Sequence, residues 1–172
     1  MILQPPVGYR PDRPVRDLTT AHSILRQRYM IWSNRMRAAG FVVFVNEVYR
    51  YHVRQQWLYG AGRTAAECLA MNVPAACARP SEPRVTNAAS AETSAHGWTD
   101  RGMPASAALD VAPVGKDGKP WTADDPWDTW LACALALEVE TGLVHFRKGQ
   151  SVWDKPHLQL KEWSDALHRV VL

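Results

Sequence analysis

The chain reads as an α+β domain. Helical periodicity is confined to a few segments, and the apolar runs between them are short, strand-like and non-alternating. A long Ala-, Pro- and Ser-rich connection separates the two halves. At 172 residues, with 47% apolar and 22% charged side chains, one domain can bury a sufficient core without staples, and a disordered chain is excluded.

Residues 1–17 are rich in Pro and Arg and lack periodicity, so they are expected to form an extended arm, with the folded domain spanning 18–172. Thr19 or Thr20 is positioned to cap a helix running to about Ala39, with Ile24, Leu25, Tyr29, Ile31, Trp32 and Met36 mostly on one side. Gly40 ends it, and Phe41 to Val45 follows as a buried-type strand. A second helix is expected from His52 to Ala61, closing at Gly60 or Gly62. Residues 64–95 form the long connection, with at most one short helix; a loop of that length is either functional or a sign that an element has been missed. Ala108 to Val114 is a strand and Gly115 to Gly118 a tight turn. Asp124 or Asp125 then caps a helix with Pro126 in its first turn and Gly142 beyond its end. Its middle, Trp130 to Leu137, is apolar almost all round and predicts the central buried helix. Leu143 to Phe146 and His157 to Leu160 are further strands, and a short amphipathic helix from Glu162 closes the chain.

Net charge is +3, a mild basic bias that suits an anionic substrate such as a cell-wall polymer, while no Lys/Arg block points to nucleic acid. No apolar run approaches a membrane span, and the start, Met-Ile-Leu-Gln-Pro-Pro, has no basic-then-apolar signal pattern. The expectation is synthesis and folding in the cytoplasm. Cys68, Cys77 and Cys133 lack CxxC spacing, which favours reduced, partly buried thiols. His22, His52, His145 and His168 have no chemistry-bearing neighbourhood and read as structural or exposed. Trp57, Trp98, Trp121, Trp127, Trp130 and Trp163 read as core or rim packing.

The chemistry concentrates elsewhere. On a strand, His157 and Gln159 face one way while Leu158 and Leu160 face the core; Asp110 likewise lies opposite Leu109 and Val111. Neighbouring strands can therefore present Asp110 and His157 side by side, with His96 arriving from a loop. Two histidines and a carboxylate form a three-ligand zinc set with a fourth position for water, whose pKa zinc lowers to roughly 7. Asp154, three residues before His157, can accept a proton from that water and deliver it to a leaving amine. Metal-assisted hydrolysis is the reaction class these residues suggest.

Three segments carry a family likeness: Glu47-Val48-Tyr49-Arg50 with Arg54 to Tyr59 and Gly62-Arg63-Thr64; Ser94-Ala95-His96 followed by Ala108 to Pro113; and Trp153 to Gln159. Together, from about Phe41 to Trp163, they resemble the zinc peptidases of the D-alanyl-D-alanine carboxypeptidase (VanY-like) group, whose phage members include L-alanyl-D-glutamate endopeptidase endolysins. The resemblance implies a small hedgehog/D,D-peptidase-like fold with a mainly antiparallel sheet. It also implies Zn²⁺ on His96, Asp110 and His157, Asp154 as catalytic acid/base, Arg50 steadying a substrate carboxylate or the oxyanion, and Ser94 as a further substrate contact. The implied substrate is the peptide stem of bacterial peptidoglycan, cut between L-Ala and D-Glu by a monomer that waits in the host cytoplasm until released to the wall. The chain departs from the pattern between His96 and Asp110: Gly97 to Ala107 is longer than in the family, and Ser106 stands where a glycine is expected. Asp100 therefore competes as a ligand. Two other functions stay open, a D-Ala-D-Ala carboxypeptidase or dipeptidase, and a non-catalytic wall-binding or virion domain.

Overall fold

A computed structural model describes residues 2–148 and 151–163. The architecture is α+β, a four-stranded antiparallel sheet packed against helices. In chain order the elements are α1 (Ser23–Ala38), β1 (Val43–Glu47), α2 (His52–Tyr59), α3 (Ala65–Leu69), a small hairpin of β2 (Thr99–Asp100) and β3 (Met103–Pro104), β4 (Ala108–Pro113), α4 (Trp127–Ala136), α5 (Glu138–Thr141), β5 (Leu143–Lys148) and β6 (Ser151–Leu160). The main sheet runs β1-β4-β6-β5. Every residue of β4 is buried, as an inner strand covered on both faces requires. Among the described residues no helix is long and apolar enough to cross a membrane.

The core lies between one sheet face and α1 with α4. Leu25, Tyr29, Trp32 and Met36 recur at helical spacing along α1 and pack with Leu109, Val111, Leu143 and Leu158. Trp32 meets Trp130 of α4 edge-on at 5.9 Å, both rings fully buried. Truncating either ring costs on the order of 3–5 kcal/mol. The opposite sheet face carries Glu47, Asp110, His157 and Gln159, buried polar residues where a core would place leucines.

Several expectations from sequence need correction. The first helix starts at Ser23, because the Asp17 carboxylate accepts from Thr19 N at 2.8 Å and closes a separate 3-10 turn over Leu18–Thr20. His22 then caps α1 through Nδ1, which accepts from Ile24 N at 3.3 Å. Ile24 and Ile31 are exposed, outside the buried stripe. β1 begins two residues later than expected and is a half-buried edge strand, leaving Val42 in solvent. Neither Asp124 nor Asp125 caps α4: Pro126 stands at the cap position, while the Asp125 carboxylate takes Thr122 N at 2.6 Å. The apolar segment Trp130 to Leu137 buries one face only, and the helix breaks at Leu137 before α5 ends at Gly142, whose φ of 64° makes the left-handed cap. The long connection contains α3 and 3-10 turns at Ala75–Cys77 and Ala91–Thr93. His168 and all but the start of the helix expected from Glu162 lie outside the described residues.

Candidate metal centre

Strand register builds the site. Asp110 pairs with Glu47 on one side and His157 on the other, so the three side chains share one face. A one-residue irregularity in β1 between Val45 and Glu47 brings Glu47 into that register. β6 contains a larger one: His145 pairs with Leu158, but the next residue, Phe146, pairs with Asp154. Lys155, Pro156 and His157 therefore bulge away from β5, where Pro156 has no ladder N–H to give. In a regular strand, residues three apart point to opposite faces. The bulge lets Asp154 and His157 line the same cleft.

His96 comes from a 3-10 turn, Ala95–Gly97, capped by Ser94 Oγ, which accepts from His96 N at 3.3 Å. The turn packs so tightly that a Cβ on Gly97 would sit 2.2 Å from the Ala91 carbonyl oxygen, so only glycine fits. Arg50 N donates to His96 O at 3.0 Å, and His96 Nδ1 lies 2.9 Å from Val48 O. A carbonyl can only accept, so Nδ1 carries the proton and Nε2 presents its lone pair. On His157, Nε2 lies 2.9 Å from Gln159 Oε1, which leaves Nδ1 as the lone-pair nitrogen.

Three lone-pair atoms thereby converge: His96 Nε2 to Asp110 Oδ1 at 3.1 Å, His96 Nε2 to His157 Nδ1 at 3.3 Å, and His157 Nδ1 to Asp110 Oδ1 at 3.3 Å. These are the ligand atoms of the one buried His/Cys/Asp/Glu group found among the described residues that could hold a metal ion. Bonds of about 2.0–2.1 Å at tetrahedral angles separate ligand atoms by about 3.3 Å, so the spacing fits a small divalent cation.

The Asp110 charge dominates the electrostatics of this cluster. Burial opposes ionisation of Asp110, but His96, Arg50 and the hydrogen bonds to both histidines outweigh it and hold the carboxyl well below its ordinary range. Burial opposes protonation of His157, yet its bond to Asp110 and the charges of Asp110 and Asp154 raise it. Asp154 is pushed up by burial first and by Asp110 second.

Arg50 is more committed than its sequence setting suggests. One Nη donates to Asp110 Oδ2 and Nε to Glu47 Oε2 at 2.5 Å, while Glu47 Oε1 accepts from Arg54 Nε at 2.6 Å. Arg50 thus orients the Asp110 carboxylate while still lining the cleft. Ser94, expected beside the substrate, caps the His96 turn and also lines the cleft. Asp100 is exposed on the β2–β3 hairpin and is not among the clustered ligands. That hairpin is the extra length after His96. It is tied to the N-terminal turn by Ser106, fully buried, whose N donates to Thr20 O at 2.9 Å and whose O accepts from His22 N at 2.9 Å. Sequence reasoning assigns no role to Glu47 or Gln159. Gln159 is marked by its place between core-facing Leu158 and Leu160, whereas a period of two would put Glu47 on the core face with Val43 and Val45, and only the irregularity in β1 turns it to the site.

The cleft has a volume of about 630 Å³ and is lined further by Asn46, Thr86, Asn87 and Trp163. No protein-family model matches the chain, and no curated protein matches it significantly.

Proposed function

We propose that the chain is a zinc peptidase of the VanY-like kind, with the hedgehog/D,D-peptidase fold, acting on the peptide stem of bacterial peptidoglycan. The observation that carries this reading is the convergence of three lone-pair atoms at zinc spacing in an open cleft that also contains Asp154. A bound zinc supplies Lewis acidity and brings the pKa of water to about 7. Asp154, in its carboxylate form, would take the proton of the attacking water and, holding it as the carboxylic acid, pass it to the leaving amine; burial strengthens its grip on that proton. Arg50 keeps the Asp110 carboxylate turned towards the metal by binding its outer oxygen.

The scissile bond is that between L-Ala and D-Glu. An exopeptidase must close one end of its cleft around a terminal carboxylate. Among the described lining residues Arg50 is the one Lys or Arg, and Glu47 and Asp110 already engage it. A D-Glu carboxylate would need a receiver as much as a terminal one, so the choice of an endopeptidase, in the manner of a phage endolysin, over a D-Ala-D-Ala carboxypeptidase rests on the likeness of the Asp110 to Pro113 continuation and the Gly115 to Trp121 turn to the phage enzymes. A zymogram on purified peptidoglycan should clear, fail after chelation and recover with zinc. Mass spectrometry should find new N-terminal D-Glu. Asp154→Asn should keep the zinc and lose at least about a hundredfold in rate, because an amide cannot shuttle the proton. Release of D-Ala alone, or near-full activity of Asp154→Asn, would refute these assignments.

A further inference from the structure

The loop preceding His96 is bound to the body more firmly than an exposed segment needs. Arg63, 4% exposed, lies over the Tyr59 ring at 3.8 Å, and its Nη1 donates to Tyr59 O. Its Nη2 donates to Asn87 Oδ1 at 3.2 Å. Flanking residues are held too: Gln55, fully buried, donates through Nε2 to Ala88 O at 2.6 Å, and Ala88 N donates to Thr86 Oγ1 at 3.2 Å. Gly60 and Gly62 make the close approach possible. A Cβ on Gly60 would sit 1.9 Å from Cys77 O, and Gly62 combines a φ of 69° with Arg84 N at 2.9 Å from its Cβ position.

This arrangement fixes the sense of the Asn87 amide. A guanidinium has only donors, so the carboxamide oxygen must face Arg63 and the NH₂ group must face away. Asn87 is exposed and lines the metal cleft, and among the described residues its Nδ2 donates to nothing. A buried arginine therefore orients a neutral donor pair at the rim of the site.

We infer that Asn87 is a substrate-anchoring residue whose NH₂ binds the free carboxylate next to the scissile bond, with Arg63 as its positioning residue. The inference rests on the peptidase reading, in which D-Glu carries that carboxylate. The charge inventory supports it: with Arg50 occupied by Glu47 and Asp110, the amides and hydroxyls of the cleft are what remain to receive an anion.

Asn87→Asp separates anchoring from structure. The new carboxylate still accepts from Arg63, now as an ion pair, so thermal stability should equal or exceed that of the parent protein. The donors are gone and a like charge faces the ligand. Binding is measured by NMR titration of the zinc-loaded protein carrying Asp154→Asn to suppress turnover, with two N-acetylated stem tetrapeptides, one with a free D-Glu α-carboxylate and one with that group as carboxamide. Asn87→Asp should weaken the carboxylate peptide about tenfold or more and the carboxamide peptide clearly less. Arg63→Lys should weaken the same peptide, because one ammonium cannot hold both Tyr59 O and Asn87 Oδ1. Equal loss on both peptides, or no loss, overturns the inference. Failure of the parent protein to bind either peptide overturns the peptidase reading and this inference with it.

Discussion

Gln159→Leu tests the metal centre through a residue that is not a ligand. Gln159 is 3% exposed, and its Oε1 is 2.9 Å from His157 Nε2. That bond holds the tautomer with the proton on Nε2 and the lone pair on Nδ1, the atom facing Asp110 and His96 at 3.3 Å each. Leucine keeps the volume and removes the acceptor. The proton then prefers Nδ1, where it can be given to Asp110 Oδ1 or His96 Nε2, and metal binding must first displace it. Losing such an outer partner typically lowers metal affinity by roughly 10–100-fold, about 1.4–2.7 kcal/mol. Competition with a chromophoric chelator measures zinc affinity directly, without a substrate. Gln159→Glu keeps the acceptor, adds a charge, and should bind zinc at least as well as the parent protein. If Gln159→Leu retained affinity within about twofold, the tautomer argument would fail and the three-atom convergence would lose its meaning as a metal site.

Three further outcomes follow from the same geometry. Asp110→Ala should abolish stoichiometric zinc, whereas Asp100→Ala should keep it; metal analysis with the reverse result would move the ligand onto the hairpin. Glu47→Ala leaves the Arg54 and Arg50 guanidinium groups, 9% and 14% exposed, without their shared carboxylate, and should cost about 3–5 kcal/mol in urea unfolding; a loss under about 1 kcal/mol would show that the pair is solvated. Burial first, and Tyr51 second, push the Tyr49 phenol up to about 12. The unfolded chain releases that proton near pH 10 while the folded one holds it, so this contribution is full below about pH 10 and is lost as pH rises towards 12; Tyr49→Phe should flatten the alkaline arm of the stability profile, and an unchanged arm would assign it elsewhere.

Much of the site is legible in the sequence because strands alternate. Asp110 sits between Leu109 and Val111, and His157 precedes Leu158, so a period of two by itself separates core-facing from site-facing residues. The α1 stripe Leu25, Tyr29, Trp32 and Met36 is legible for the same kind of reason, as is the α+β class. Local spacing cannot reveal pairing, because register is a contact between distant segments. Only the tertiary structure puts Asp110, and not Asp100, between Glu47 and His157, and bulges β6 so that Asp154 shares their cleft. It alone decides that Arg50 binds two carboxylates and that Asn87 faces Arg63. A residue's type sets what it can donate or accept; which partner takes it depends on how the chain closes, and that is a property of the whole fold.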